Sequence, residues 1–146
     1  MRTVAERTDT LNSLRRGELA AVETFQQALD KFGNEPMGIE LRAIEADHRD
    51  AAEALGAHIA ERGGSPAESS GVWGMWAKAI AGTAKLFGAS AALKALKEGE
   101  EQGIEDYQSA LEDQYLDAEC RDLIRTLLPK TRAHVALLDR LIDEIR

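Results

Sequence analysis

The stretch "LKEGEEQGIEDYQSAL", residues 96–111, repeats an earlier stretch of the same chain, "LRRGELAAVETFQQAL", residues 14–29. Each copy has a Glu seven positions before an aromatic residue: Glu18 before Phe25, and Glu100 before Tyr107. Further matching positions are Leu14/Leu96, Gly17/Gly99, Val22/Ile104, Glu23/Glu105, Gln26/Gln108, Ala28/Ala110 and Leu29/Leu111. Internal self-similarity is typical of proteins built from related structural units. We therefore predict that the same helix occurs twice, once in each half of the chain.

The composition predicts an all-α protein. Helix-favouring Ala, Leu, Glu, Lys and Arg dominate, and β-branched residues form no alternating runs. Apolar residues at three- and four-residue steps indicate four long helices, arranged as two hairpins (1–62 and 90–146) joined by a long crossover (63–89). A chain of 146 residues can form one hydrophobic core without disulfides or metals, so we expect a single domain over 1–146.

The charge of the chain excludes some classes of partner. A formal net charge of -8 argues against sequence-independent binding to nucleic acid, because a polyanion would be repelled. The least polar region, residues 72–96, is interrupted by Lys78, Lys85 and Lys94, so no membrane span is expected. The N-terminal residues lack the apolar core of a signal peptide, and the single cysteine, Cys120, cannot form an internal disulfide. These features favour a cytoplasmic location.

Each predicted apolar stripe is interrupted near its middle by a polar residue. The interrupting residues are Glu18, His48, Glu100 and His134. The first two lie at equal distances from Gly33, where the first hairpin turns, and the last two at equal distances from Asp117, the predicted N-cap of the fourth helix. At 1.5 Å per residue, each pair lies about 22–26 Å from its turn. A Glu and a His should therefore face each other in each hairpin.

The segment "EADH" contains a Glu-x-x-His pair, Glu45 and His48. This spacing puts a carboxylate and an imidazole one turn apart on one helix face, where they can bind one metal or two adjacent metals. The pair alone is common in Glu-rich helices, but its position opposite Glu18 in an apolar stripe favours a metal site.

With these residues in place, the chain resembles the ferritin-like superfamily of duplicated four-helix bundles with a long crossover. In that family each half supplies a Glu seven residues before a Tyr, and then a Glu-x-x-His. The residues that carry the resemblance are Glu18, Phe25, Glu45, His48, Glu100, Tyr107 and His134. The resemblance is closest to small bacterial proteins of unassigned function. It implies a site for iron, manganese or zinc, used in metal or oxidative-stress handling. The implied metal ligands are Glu18, Glu45, His48, Glu100 and His134, with Tyr107 and Thr131 beside them.

The chain departs from the family pattern at two positions. Thr131 stands three residues before His134, where the pattern has Glu, and Phe25 stands where Tyr is usual. Five ligands suit one metal ion better than they suit two metal ions. Whether a pair of iron ions carries out oxygen chemistry here therefore stays open. The question whether the protein is an enzyme stays open too. The alternative is a metal-free polar layer that specifies helix register, in a structural or interaction module whose site has decayed.

The crossover contains a predicted short helix, Trp73 to Phe87. Its length of about 22 Å suits a connection that must travel along the bundle. Two interpretations of its apolar residues stay open, packing against the bundle and contact with a second copy of the chain. A homodimer through another helix face is a further alternative.

Overall fold

The computed structural model describes residues 2–71 and 74–145, without the side chains of residues 74–77, 80, 81 and 84. The described residues form four α-helices and no strand, which confirms the predicted all-α four-helix bundle. The helices are α1 (Val4–Phe32), α2 (Gly38–Glu61), α3 (Gly74–Ala110) and α4 (Ala118–Glu144). None of them, as far as it is described, has the length and apolar character that crossing a bilayer requires.

Local sequence signals set the helix ends. The Thr3 hydroxyl accepts a hydrogen bond from the Glu6 amide at 3.1 Å, and the Glu6 carboxylate accepts one from the Thr3 amide, which together form a capping box at the start of α1. Asp117 caps α4 by accepting from a first-turn amide at 2.9 Å, which confirms its predicted role. Between α1 and α2 the backbone folds back so closely that a Cβ on Gly38 would lie 2.3 Å from the Gly33 carbonyl oxygen.

Two apolar clusters fill the bundle, one at each end, and each takes residues from all four helices. The first lies where α1 turns into α2 and contains Phe25, Ala28, Phe32, Met37, Leu41, Ile44, Ala92, Leu93, Leu96, Leu138, Leu141 and Ile142. The second, at the opposite end, contains Leu11, Leu14, Ala51, Leu55, Ile59, Tyr107, Ala110, Leu116, Cys120, Ile124, Leu127 and Leu128. Their membership shows that α1 runs antiparallel to α3, and α2 antiparallel to α4. The two hairpins are thus related by an approximate two-fold axis.

The connection after α2 lies against α1. The Asn12 side-chain amide donates to the Ser65 carbonyl at 3.1 Å, and its oxygen accepts from the Ala67 amide at 2.8 Å. Further along, the Ser70 hydroxyl donates to the Glu23 carboxylate at 3.1 Å. This part of the connection therefore covers about 16 Å of α1, from Asn12 to Glu23. It begins the passage along the bundle that the predicted crossover requires.

α3 consists of two helical segments that meet at a kink, which lies next to the predicted boundary between the crossover helix and the third helix. α3 is helical on both sides of Gly88, whose φ of 83° and ψ of -170° interrupt the helix. Just before this residue, Leu86 and Phe87 are 74% and 72% exposed. Trp73 and the side chain of Trp76 lie outside the described residues, and so do the predictions made for them.

We expect Gly88→Ala to lower the free energy of unfolding by about 1–3 kcal/mol, because this backbone region is essentially restricted to glycine. The matched control is Gly82→Ala in the same helix, where an added Cβ meets nothing within 4 Å. There alanine should stabilise by roughly 0.5–1 kcal/mol. Urea denaturation followed by circular dichroism measures both changes. Equal stabilities of the two variants would contradict a glycine-dependent joint.

Candidate metal centre

Four buried polar residues, one from each helix, lie between the two apolar clusters. Glu18 of α1, His48 of α2, Glu100 of α3 and His134 of α4 are 6%, 4%, 3% and 5% exposed. Each occupies a position in the inward-facing stripe of its helix, so apolar neighbours one turn before and after carry it into the interior. Helical periodicity thus explains why ionisable groups are buried here.

His48 is at the centre of this layer. Its Nδ1 lies 2.6 Å from Oε2 of Glu18, and its Nε2 lies 2.5 Å from Oε1 of Glu100. The two glutamates occupy matching positions of the internal repeat. A single imidazole therefore links the two halves of the chain.

The hydrogen bonds continue beyond His48 in both directions. Nδ1 of His134 lies 3.2 Å from Oε2 of Glu100, and its Nε2 lies 2.8 Å from Oδ2 of Asp47. On the other side, the Tyr107 hydroxyl donates to Oε1 of Glu18 at 2.6 Å. We call this arrangement the carboxylate–histidine chain. Its members in order are Tyr107, Glu18, His48, Glu100, His134 and Asp47.

Burial and neighbouring charges act in opposite directions on the pKa values of His48 and Glu100. Burial lowers the pKa of His48, but the carboxylates of Glu18 and Glu100 outweigh it and raise that pKa well above the ordinary 6.5. Burial likewise raises the pKa of Glu100, yet His48 and His134 bring it below 4.5. Burial, together with Glu18, raises the pKa of Tyr107 well above 10. In the metal-free protein the positive charge of His48 and the negative charge of Glu100 therefore stabilise each other.

Two residues of the predicted site make contacts within their own helices. Glu45 accepts a hydrogen bond from Nε of Arg49 at 2.7 Å, one turn further along α2. Thr131 is buried, and its hydroxyl donates to the Leu127 carbonyl at 3.4 Å. The structure therefore brings Glu18, His48, Glu100, His134 and Tyr107 together, with Thr131 close by, and pairs Glu45 with Arg49 instead.

Asp47 is the member of the chain that sequence reasoning missed. The Glu-x-x-His spacing puts Glu45 and His48 on one helix face, whereas Asp47 lies about 100° around the helix from His48. Its side chain is 41% exposed and meets His134 because α2 packs beside α4. Asp47 directly precedes His48 in "EADH". Nothing in the sequence, however, distinguishes Asp47 from Glu45 as the acid that contacts the site.

The buried group could hold a metal ion. One ligand atom from each of His48, Glu100 and His134 lies within 4.8 Å of the other two. A metal bound at about 2.0–2.2 Å from each ligand keeps such atoms roughly 3–4.4 Å apart. Small side-chain movements would therefore bring all three onto one ion.

A second group of possible metal ligands lies near the C-terminal end of α2. It consists of His58, Glu61 and Glu119, of which the two acids are exposed. Arg62 forms ion pairs with Glu61 at 3.7 Å and with Glu119 at 3.2 Å. The guanidinium already supplies a cation to these carboxylates, so we predict no metal there.

A cavity of about 350 Å³ opens between α1 and α3, beside the carboxylate–histidine chain. Glu18, His48, Glu100 and Tyr107 form part of its wall. The buried polar groups thus border a space that an ion or a small molecule can occupy.

We expect the metal-free protein to lose stability as the pH rises above about 6.5, the ordinary pKa of histidine. A histidine whose pKa is raised by folding contributes its full stabilisation below the unfolded pKa and loses it as the pH passes through the folded pKa. His48→Gln should remove this part of the dependence, and the control His58→Gln should keep it. Urea denaturation with a chelator, from about pH 5.5 to 9, measures the effect. A wild-type stability that rises over this interval would be the opposite result.

Comparison with known families identifies the chain. The model of the family described as "Domain of unknown function (DUF2383)" matches residues 6–113, which span nearly all of α1, all of α2 and all of α3. Comparison with curated proteins and with solved structures gave no match. Because the matched region covers most of the 146 residues, the protein belongs to the DUF2383 family.

Proposed function

We propose that this protein is a ferritin-like metal-binding protein whose ligands are His48, Glu100 and His134, with Glu18 beside them. The proposal depends on one observation above all, the convergence of two imidazoles and a carboxylate from three helices in the bundle interior. The duplicated, antiparallel hairpins further support the ferritin-like assignment. A metal ion would replace the imidazolium of His48 as the cation that these buried carboxylates require.

Imidazole and carboxylate ligands suit iron, manganese and zinc. Such a metal, when bound, supplies Lewis acidity, and iron or manganese also supplies redox chemistry. The two half-sites are unequal, because Thr131 carries no carboxylate and Glu45 pairs with Arg49. The ligand set therefore favours one ion over a pair. A role in metal or oxidative-stress handling is consistent with such a site.

The neighbouring residues orient the ligands. Binding through a ring nitrogen of His48 requires its lone pair, so metal entry must displace a proton from that ring. Asp47 accepts from Nε2 of His134 and leaves Nδ1 facing the centre of the layer. The Tyr107 hydroxyl fixes one oxygen of Glu18 and leaves the other directed at His48.

The alternative is a metal-free polar layer in a structural or interaction module. A specific observation favours it, since all four ring nitrogens of His48 and His134 lie within 3.2 Å of carboxylate oxygens. In addition, no buried side-chain nitrogen or oxygen of the described residues lacks a hydrogen-bond partner. A fully satisfied buried network can stabilise one helix register without any ion.

Metal addition separates the two candidates. At a free metal concentration 100 times Kd, Fe(II), Mn(II) or Zn(II) should add about 2.7 kcal/mol of stability, or roughly 5–10 °C in Tm. His48→Gln should abolish this shift, whereas the control His58→Gln should retain it. Elemental analysis of the purified protein should find the same metal. A metal-free protein with no shift for any of the three ions would favour the polar-layer alternative.

Asp47→Asn should weaken metal binding by about 10–100-fold, because it removes the carboxylate that orients His134. Asp50→Asn, an exposed position on the same helix, is the matched control and should leave the affinity unchanged. Competition with a fluorescent chelator measures both affinities. Equal affinities for Asp47→Asn and wild type would show that His134 does not depend on this carboxylate.

A further inference from the structure

The cavity between α1 and α3 is larger than a metal ion needs. Its volume of about 350 Å³ corresponds to roughly twelve water molecules at about 30 Å³ each. Sites for small organic molecules begin at about 300 Å³. The space is therefore of the size that accepts a small organic ligand.

Two glycines in helix interiors keep this space open. A Cβ on Gly17 would meet nothing within 4 Å, and a Cβ on Gly103 would meet only the Thr131 methyl at 3.5 Å. Neither glycine is needed for a close backbone approach, although glycine costs a helix about 0.5–1 kcal/mol relative to alanine. Gly17 also matches Gly99 in the internal repeat, and all three glycines line the cavity. Gly17 and Gly103 thus leave room between α1 and α3.

The wall of the cavity contains more acidic than basic side chains. Its charged residues are Glu18, Glu98, Glu100 and Asp106, besides His48, and the described lining includes no Lys or Arg. Glu18 and Glu100 already pair with His48 at the inner end, while Glu98 is exposed at the rim. Such a wall repels anions and attracts cations.

Asp106 is the carboxylate best placed to meet a ligand. It lies half-buried in the cavity wall, where its partner is the neutral side-chain amide of Gln102 at 3.1 Å. Burial raises its pKa above the ordinary 3.8. A cation beside this carboxylate would offset the unfavourable burial of its charge. Leu14 of α1 supplies apolar surface at this end of the cavity, and Phe25 and Leu96 line its far end.

We propose that this cavity binds a small organic amine, with its ammonium group at Asp106 and its apolar body against Leu14. The site goes beyond metal binding, because neither Asp106 nor Leu14 is a proposed metal ligand, although the same cavity also borders His48 and Glu100. Charge selects an ammonium over a carboxylate, and the glycines provide the volume for the alkyl part.

The experiment compares n-hexylamine, hexan-1-ol and hexanoate as probes by isothermal titration calorimetry, using the full chain with and without metal. Hexylamine should bind best and hexanoate worst. Gly17→Leu should weaken hexylamine binding by about tenfold or more, because its side chain fills the cavity. Gly82→Leu, which adds the same side chain at an exposed helix position, should leave binding unchanged. Asp106→Asn should reduce the preference for hexylamine over hexan-1-ol by about tenfold.

Circular dichroism and thermal melts establish that each variant is folded before binding is measured. The proposal is overturned if no probe binds, if hexanoate binds as well as hexylamine, or if folded Gly17→Leu binds hexylamine as well as wild type does. Metal binding is measured separately on Gly17→Leu, which retains every metal ligand. A loss of amine binding alone therefore distinguishes the cavity from the metal centre.

Discussion

The ring of His48, held between carboxylates from α1 and α3, is the contact on which the rest of the bundle depends. Removing one partner of a buried ion pair leaves an uncompensated charge, which is strongly destabilising. Turning α1 or α3 by a single residue would move Glu18 or Glu100 by about 100° and break a contact of 2.6 or 2.5 Å. The apolar clusters on either side supply most of the burial but tolerate rearrangement more readily. The polar layer therefore fixes helix register, and the clusters stabilise it.

The helices and the depth of the polar layer in the bundle could be predicted from the sequence, because both follow from the spacing of residues along the chain. Periodicity gives the inward face, and equal distances from Gly33 and Asp117 convert directly into equal heights at 1.5 Å per residue. The choice of Asp47 over Glu45 as a neighbour of the layer could not be predicted. It depends on the rotation of α2 about its own axis and on the position of α4, which are tertiary properties.

Other features depend on three-dimensional packing in the same way. The glycines of α1 and α3 are visible in the repeat, but an open space between the helices requires a particular separation of their axes. Gly88 stands in an otherwise helical pattern, and only its backbone angles reveal a joint between two helical segments. The predicted crossover helix and the predicted third helix thus lie on either side of this kink.

The antiparallel pairing of α1 with α3 and of α2 with α4 has a consequence for ancestry. A homodimer of a single hairpin would form the same kind of polar layer. Every substitution would then occur in both hairpins. Covalent fusion removes that restriction, so one half can carry Tyr107 and Thr131 where the other carries Phe25 and Glu45. A symmetric scaffold thereby acquires two chemically different sides, which no dimer of identical hairpins could possess.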